Sequence, residues 1–298
     1  MTATVCSMPT PRTHATIPTA LHDDGSIDED GQRRVAASVA AAGVTGIIAL
    51  DLAAGEGGLL DDDERDAVHR TTRQGAGGVP VVVGIGAPDT GMVARAHRTA
   101  AAGADGLLAA LPASAERRLD LLGEVAATGL PLWLHLLPGP TGEAVSTTEL
   151  AAIADELGAA GILVDAAPSP DVIAGLVTAE TAPGFGGLGG LFLLEELEAG
   201  AAGTTAGGAV PEGVAELIAR ASTDPAGARE RFLELLPYLR LEAGSPGVRV
   251  RKEAWRQRGE LGSGRARRGE ALGATMKRAV TRRLREVGAP VRNPYPGS

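Results

Sequence analysis

A few polar residues stand where short apolar runs end, and their types suit proton chemistry. Asp51 follows a run ending at Leu50, His135 is the last residue but one of a run over 130–136, and Asp165 follows Val164. Glu56, Thr204 and Thr205 occupy similar places, and His22 follows the first run. An imidazole beside one or two carboxylates can act as a general base, its ring oriented by the neighbouring acid. The same residue types, converging from separate segments, also suit a hard or borderline divalent metal. Plainer roles are open to each. His135 could be a satisfied polar residue in an apolar mouth, and Asp51 and Asp165 could cap helices or bind loop amides. Glu56, next to Gly55, could hold a loop. We take His135, Asp165 and Asp51 as the catalytic candidates and expect neither a bound metal nor a cofactor. His69 and His97 fall inside predicted helices and are expected at the surface.

Elements that would position these residues alternate regularly. Candidate strands are 15–20, 44–50, 79–84, 106–111, 130–136, 160–164, 185–188 and 203–205, each rich in Val, Ile, Leu or Ala. Helical patterns lie between them, most clearly over 28–42, 61–75, 90–102 and 146–157, with Asp28, Asp61, Thr90 and Ser146 as predicted caps. Ser146 with Glu149 three residues on predicts a capping box. Ala42-Gly43 and Ala102-Gly103 supply the glycine that a helix-to-strand turn needs. Eight such units predict an α/β fold, a (β/α)8 TIM barrel with a C-terminal helical extension. The alternative is an open doubly wound sheet, which the absence of Gly-x-Gly-x-x-Gly after the first strand disfavours. The glycine-rich run 184–190 has no acidic ribose partner downstream and does not read as a dinucleotide loop. We divide the chain into an N-terminal extension (1–14), the barrel (15–222) and a C-terminal helical extension (223–298). In the extension, helices are predicted over 225–241, 248–258 and 270–287, after an eighth barrel helix over 212–221.

Composition narrows the class. The 298 residues suffice for one large domain, and with 2% aromatics its core must be aliphatic. Mean hydropathy is +0.06, no apolar run is long enough to span a membrane, and no secretory leader is expected at the N-terminus. Cys6 is the single cysteine, so no internal disulfide can form and the cytoplasm is the expected compartment. Net charge is −9, yet the stretch from Arg240 onward carries 15 basic and 5 acidic residues. Without interleaved aromatics or a nucleic-acid motif, that tail reads as arginine-rich helices beside an acidic barrel. Neither nucleic acid nor membrane is expected as a partner.

Several runs resemble the dihydrodipicolinate synthase and N-acetylneuraminate lyase family. They are Ile17-Pro18-Thr19-Ala20, Ala42-Gly43-Val44-Thr45-Gly46, Ala54-Gly55-Glu56, Val81-Val82-Val83-Gly84, Ala102-Gly103-Ala104-Asp105-Gly106, Pro138-Gly139-Pro140-Thr141-Gly142 and Phe185-Gly186-Gly187. Leu193-Leu194-Glu195-Glu196-Leu197 and Arg251-Lys252-Glu253-Ala254 extend the likeness towards the C-terminus. The resemblance implies the same barrel, a lyase activity, and assembly as a homodimer or homotetramer. It also implies a lysine on the sixth strand that forms an imine with a 2-oxo acid such as pyruvate.

At that position this chain has Leu163, and its only lysines, Lys252 and Lys277, lie in C-terminal helices predicted not to reach the mouth. The family's paired threonines after strand two match Ala53 and Ala54, and its tyrosine after strand five matches His135. After strand four, Leu111 begins a run without tyrosine. Pro140 replaces an arginine, as does Leu191 relative to one subgroup. Ala53, Ala54, Glu56, Leu111, Leu163, Leu191, Thr204 and Thr205 are therefore the expected substrate pocket, larger and less polar than the family's. Two functions fit. One is a repurposed lyase-type or proton-transfer enzyme acting on a less polar small molecule in specialised biosynthesis. The other is an inactive member that binds a ligand or serves as a scaffold. An ordinary pyruvate-dependent aldolase is disfavoured by Leu163.

Overall fold

The computed structural model describes residues 11–52, 55–137, 145–206, 208–243 and 247–298. Eight parallel strands close into a barrel in sequence order: β1 (Arg12–Thr16), β2 (Gly46–Ala49), β3 (Val81–Gly84), β4 (Gly106–Ala110), β5 (Leu132–Leu136), β6 (Gly161–Val164), β7 (Gly184–Gly186) and β8 (Gly203–Ala206). β8 pairs back onto β1, with His14 opposite Thr205. The open-sheet alternative is thereby excluded. Helices α1 (Glu29–Ala41), α2 (Asp62–Gly75), α3 (Met92–Ala101), α4 (Ala115–Ala126), α5 (Thr147–Leu157), α6 (Ser169–Thr178), α7 (Leu193–Glu198) and α8 (Pro211–Ala221) surround it. Three more follow: α9 (Pro225–Ala243), α10 (Gly247–Arg258) and α11 (Ala274–Glu286).

Local chemistry explains most boundaries. The Asp28 carboxylate accepts from Gly31 N, and Asp61 with Glu64 forms a full capping box. Ser146 accepts from Glu149 N, but the expected reciprocal bond is absent because the Glu149 carboxylate is taken by Arg118. α3 begins at Met92, not Thr90, after a turn in which Asp89 accepts from Gly91 N at 2.9 Å. Gly43 and Gly103 take φ of 80° and 84°, the left-handed turn their position requires. β1 starts at Arg12, three residues before the expected strand and inside the expected N-terminal extension. It ends early because Pro18 has no N–H to continue the ladder. α11 starts at Ala274, since glycines 269 and 273 keep the preceding segment out of helix.

The barrel interior is packed. Ile48, Val82, Leu108, Trp133, Leu163 and Phe185 form one buried cluster. His14 lies edge-on to Trp133 and Phe185, with ring centroids 4.9 and 5.2 Å away. Gly46 makes room for it, since a Cβ there would lie 2.2 Å from the imidazole. Burial, aided by the charge of Arg12, pushes His14 down to about 4, so it is neutral packing material. Leu163, at the position expected for an imine-forming lysine, belongs to this apolar layer.

Candidate active site

Asp51 follows β2, His135 is the fourth residue of β5, and Asp165 follows β6. All three stand at the C-terminal end of the barrel, where sites on this architecture are built. His135 Nε2 lies 3.0 Å from Asp165 Oδ2, and Nδ1 lies 3.9 Å from Asp51 Oδ2. The imidazole is 1% exposed and sits between two carboxylates delivered by different strands. One ligand-type atom from each residue lies within 4.8 Å of the others, so the trio could also hold a divalent ion. The carboxylates approach different ring nitrogens, however, an arrangement suited to passing a proton across the ring.

The electrostatics favour a shared proton. Burial opposes charging His135, but the charge of Asp51 and the bond and charge of Asp165 outweigh it and hold the imidazole above its ordinary range. Asp165 is also raised, chiefly by burial and also by the charge of Asp51, against the pull of His135 and of Arg251.

The loop carrying Asp51 is held under strain. Leu50 and Glu56 adopt φ of 58° and 56°, the left-handed region that ordinary residues avoid. The Asp51 carbonyl accepts from Gly55 N and Gly57 N, each at 3.0 Å. Gly84 and Gly57 must be glycine, since a Cβ at either would lie 2.3 or 1.9 Å from the Leu50 carbonyl oxygen. Arg65 donates to the carbonyls of Gly57 and Gly84. Glu56 itself pairs with Lys252 of α10 and accepts from Arg267 N at 2.7 Å. Glu56, expected in the substrate pocket or as a loop holder, is thus tied to α10 and to the segment after it. Lys252, fully buried with its amine pushed down by burial, reaches the mouth loop after all.

A cavity of about 270 Å³ opens beside Asp165. Its walls are residues 187–189 after β7, then Leu239 and Glu242 of α9 and Val248 and Arg251 of α10. Gly187 gives access to the acid, as a Cβ there would lie 2.8 Å from Asp165 Oδ1. Arg251 Nε donates to Glu242 Oε1 at 2.6 Å, and burial raises the Glu242 carboxyl against that attraction.

Most of the expected pocket residues lie elsewhere. Leu163 fills the barrel interior, and Leu111 points outward, packed with Ile85, Met92 and Leu122 between strands and helices. Side chains alternate along a strand, and Leu111 falls on the outer parity. Leu191 is half-buried and does not line the cavity. Thr204 and Thr205 both donate to the Gly186 carbonyl, at 3.3 and 2.7 Å. Ala53, Ala54 and Pro140 lie outside the described residues. His22 is exposed on the turn after β1. His69, expected at the surface, is 3% exposed and its imidazole is pushed by burial to about 4. Glu242 and Arg251 were missed because their helices lie far along the chain; a charge on the apolar face of a helix was the available signal.

A closed eight-stranded barrel, with a histidine and two carboxylates on the ends of β2, β5 and β6, defines a (β/α)8 scaffold extended by C-terminal helices. Residues 11–164 match the model of the dihydrodipicolinate synthetase family, and the chain belongs to that family. An uncharacterised DapA-like lyase of Halobacterium salinarum is 36% identical over 155 residues, 48% of this chain and 50% of the relative. A 4-hydroxy-tetrahydrodipicolinate synthase of Acidothermus cellulolyticus is 33% identical over 162 residues, 52% of each chain. The chain thus spans about half the length of the curated relatives it matches. The crystal structure of dihydrodipicolinate synthase from Rhodopseudomonas palustris superposes with a TM-score of 0.84 at 26% identity, covering 93% of this chain and 97% of that one. No helix among the described residues is long and apolar enough to cross a membrane.

Proposed function

We propose that the chain is a lyase-type or proton-transfer enzyme that works without a Schiff base, on a small molecule less polar than the family's 2-oxo acids. The carrying observation is the buried imidazole of His135 between Asp51 and Asp165, with Asp165 forming part of the cavity wall. Asp165 faces the ligand and exchanges a proton with it, while His135 stores that proton behind the carboxylate. The charge of Asp51 stabilises the imidazolium that results. Leu188, Leu239 and Val248 give the cavity an apolar lining suited to such a substrate. Leu163, packed in the barrel interior, has no amine to offer, which supports a route other than imine formation. Specialised biosynthesis in the cytoplasm, by a homodimer or homotetramer, completes the reading.

The reading is tested by borohydride reduction in the presence of pyruvate, followed by mass spectrometry. No covalent adduct is expected, and an adduct on Lys252 or on any residue inside the barrel would sink the proposal. In parallel, candidate carbon acids are incubated in deuterated water and followed by NMR. Exchange by the native chain that is lost in both D165N and H135A supports the assignment; exchange that survives in H135A makes His135 structural.

A further inference from the structure

The arginine-rich C-terminal part is only partly consumed by the acidic barrel. Arg258 pairs with Glu212 at 2.8 Å, Arg251 with Glu242, Arg267 with Glu64, and Lys252 with Glu56. Other cations of this part have no carboxylate partner, and three of them share one groove. Among the described residues, Arg249, Arg265 and Lys277 have no carboxylate within 4.0 Å. Arg249 Nη1 donates to the Glu270 carbonyl at 2.6 Å and Arg265 Nη1 to the Asp23 carbonyl at 2.7 Å, while Lys277 Nζ lies 5.5 Å from the centre of the Tyr295 ring.

All three line one groove of about 640 Å³ between α10, the segment 262–272, the start of α11 and the Tyr295 turn. Two further arginines in its wall are already neutralised. Arg256 is bound through two nitrogens to Glu253, at 3.0 and 2.7 Å, and Arg267 is held by Glu64. The wall also carries three carboxylates: Glu253 is occupied by Arg256, Asp23 accepts from Ser263 Oγ at 2.5 Å and keeps its charge, and the third is Glu270, so five wall cations face these three acids and Glu64. The groove therefore keeps a positive surplus in a chain whose net charge is −9. Cations gathered in a concavity focus the field and attract a compact anion. Guanidinium forks and an ammonium suit the several oxygens of a phosphate group. Tyr295, between Pro294 and Pro296, adds an apolar wall for the rest of such a ligand.

We propose that this groove binds a small phosphorylated metabolite. It shares no residue with the cavity at Asp165, so the assignment stands apart from the function proposed above. The bounded concavity, with most tail arginines already paired, fits a small molecule better than a nucleic-acid track.

The test is isothermal titration of the full chain with pyrophosphate and with ADP. Saturable binding of at least one probe is expected, weakening as salt rises. Arg249→Ala with Lys277→Ala should lower the affinity at least tenfold, and Arg265→Ala should lower it several-fold should the double variant fail to fold. H135A should leave it unchanged. No saturable binding of either probe at millimolar concentration overturns the proposal, as does binding that these variants retain. Tighter, variant-sensitive binding of duplex DNA than of ADP also overturns it.

Discussion

Substitution of Glu196 by glutamine is expected to stabilise the protein at alkaline pH and to leave it almost unchanged in acid. Glu196 is fully buried on α7, in the layer between β7 and α6. Its Oε1 accepts from Ser169 Oγ at 2.6 Å. Gly186 clears the space beside Oε2, where a Cβ would lie only 1.8 Å away. Burial raises the carboxyl from 4.5 to about 7; the Ser169 and Thr204 hydroxyls oppose the rise, and the charges of Glu195 and Asp165 add to it. A folded pKa above the unfolded one means the folded state binds the proton more tightly. The stability linked to that proton is complete below 4.5 and is lost as pH rises through 7. At about 1.4 kcal/mol per tenfold, ionising the buried acid costs about 3 kcal/mol by pH 8. Glutamine keeps the acceptor for Ser169 and never ionises. Urea unfolding at pH 4, 6 and 8 should therefore show the variant gaining about 3 kcal/mol at pH 8 and close to zero at pH 4. A difference that stays constant with pH, or a variant less stable at pH 8, would refute the reasoning.

Other expectations concern the mouth. K252M leaves Glu56 buried without its cation and should cost about 3–5 kcal/mol in urea unfolding, most of it recovered in K252M/E56Q. D165N removes the carboxylate charge that helps hold His135 up, so the histidine Cε1–H resonance should titrate at lower pH than in the native chain. If His135 must be neutral to accept the proton, turnover should rise with pH through a value above 6.5, and a profile flat from pH 6 to 9 would count against that role. Gly187→Ala should push Asp165 aside and abolish deuterium exchange while far-ultraviolet circular dichroism stays native.

The barrel was legible because its signals are local: apolar runs of strand length, capping acids and turn glycines repeat through the chain. Arg12, Thr13 and His14 hid the start of β1, since polar residues at the barrel floor break the apolar pattern that marks a strand. The convergence of Asp51, His135 and Asp165 could be read from their places at strand ends, because barrel closure brings those ends together. The cavity could not, since α9 and α10 supply half its walls and nothing local says where those helices dock. Leu111 and Leu163 show the same limit. Matching a family position names a residue without saying which way it faces or how deep it sits. The match to the family model stops at residue 164, before Asp165, Glu242 and Arg251.

The tie between Glu56 and the C-terminal helices has a bearing on the order of assembly. The loop carrying Asp51 is made early in synthesis, yet the backbone amide that holds Glu56 belongs to Arg267, 211 residues later. Until α10 docks, Glu56 has no ammonium to oppose it, and the left-handed turns beside Asp51 rest on barrel contacts such as those of Arg65 and Thr19. The C-terminal helices therefore act as a latch on the mouth loop, tying the surroundings of Asp51 to their docking.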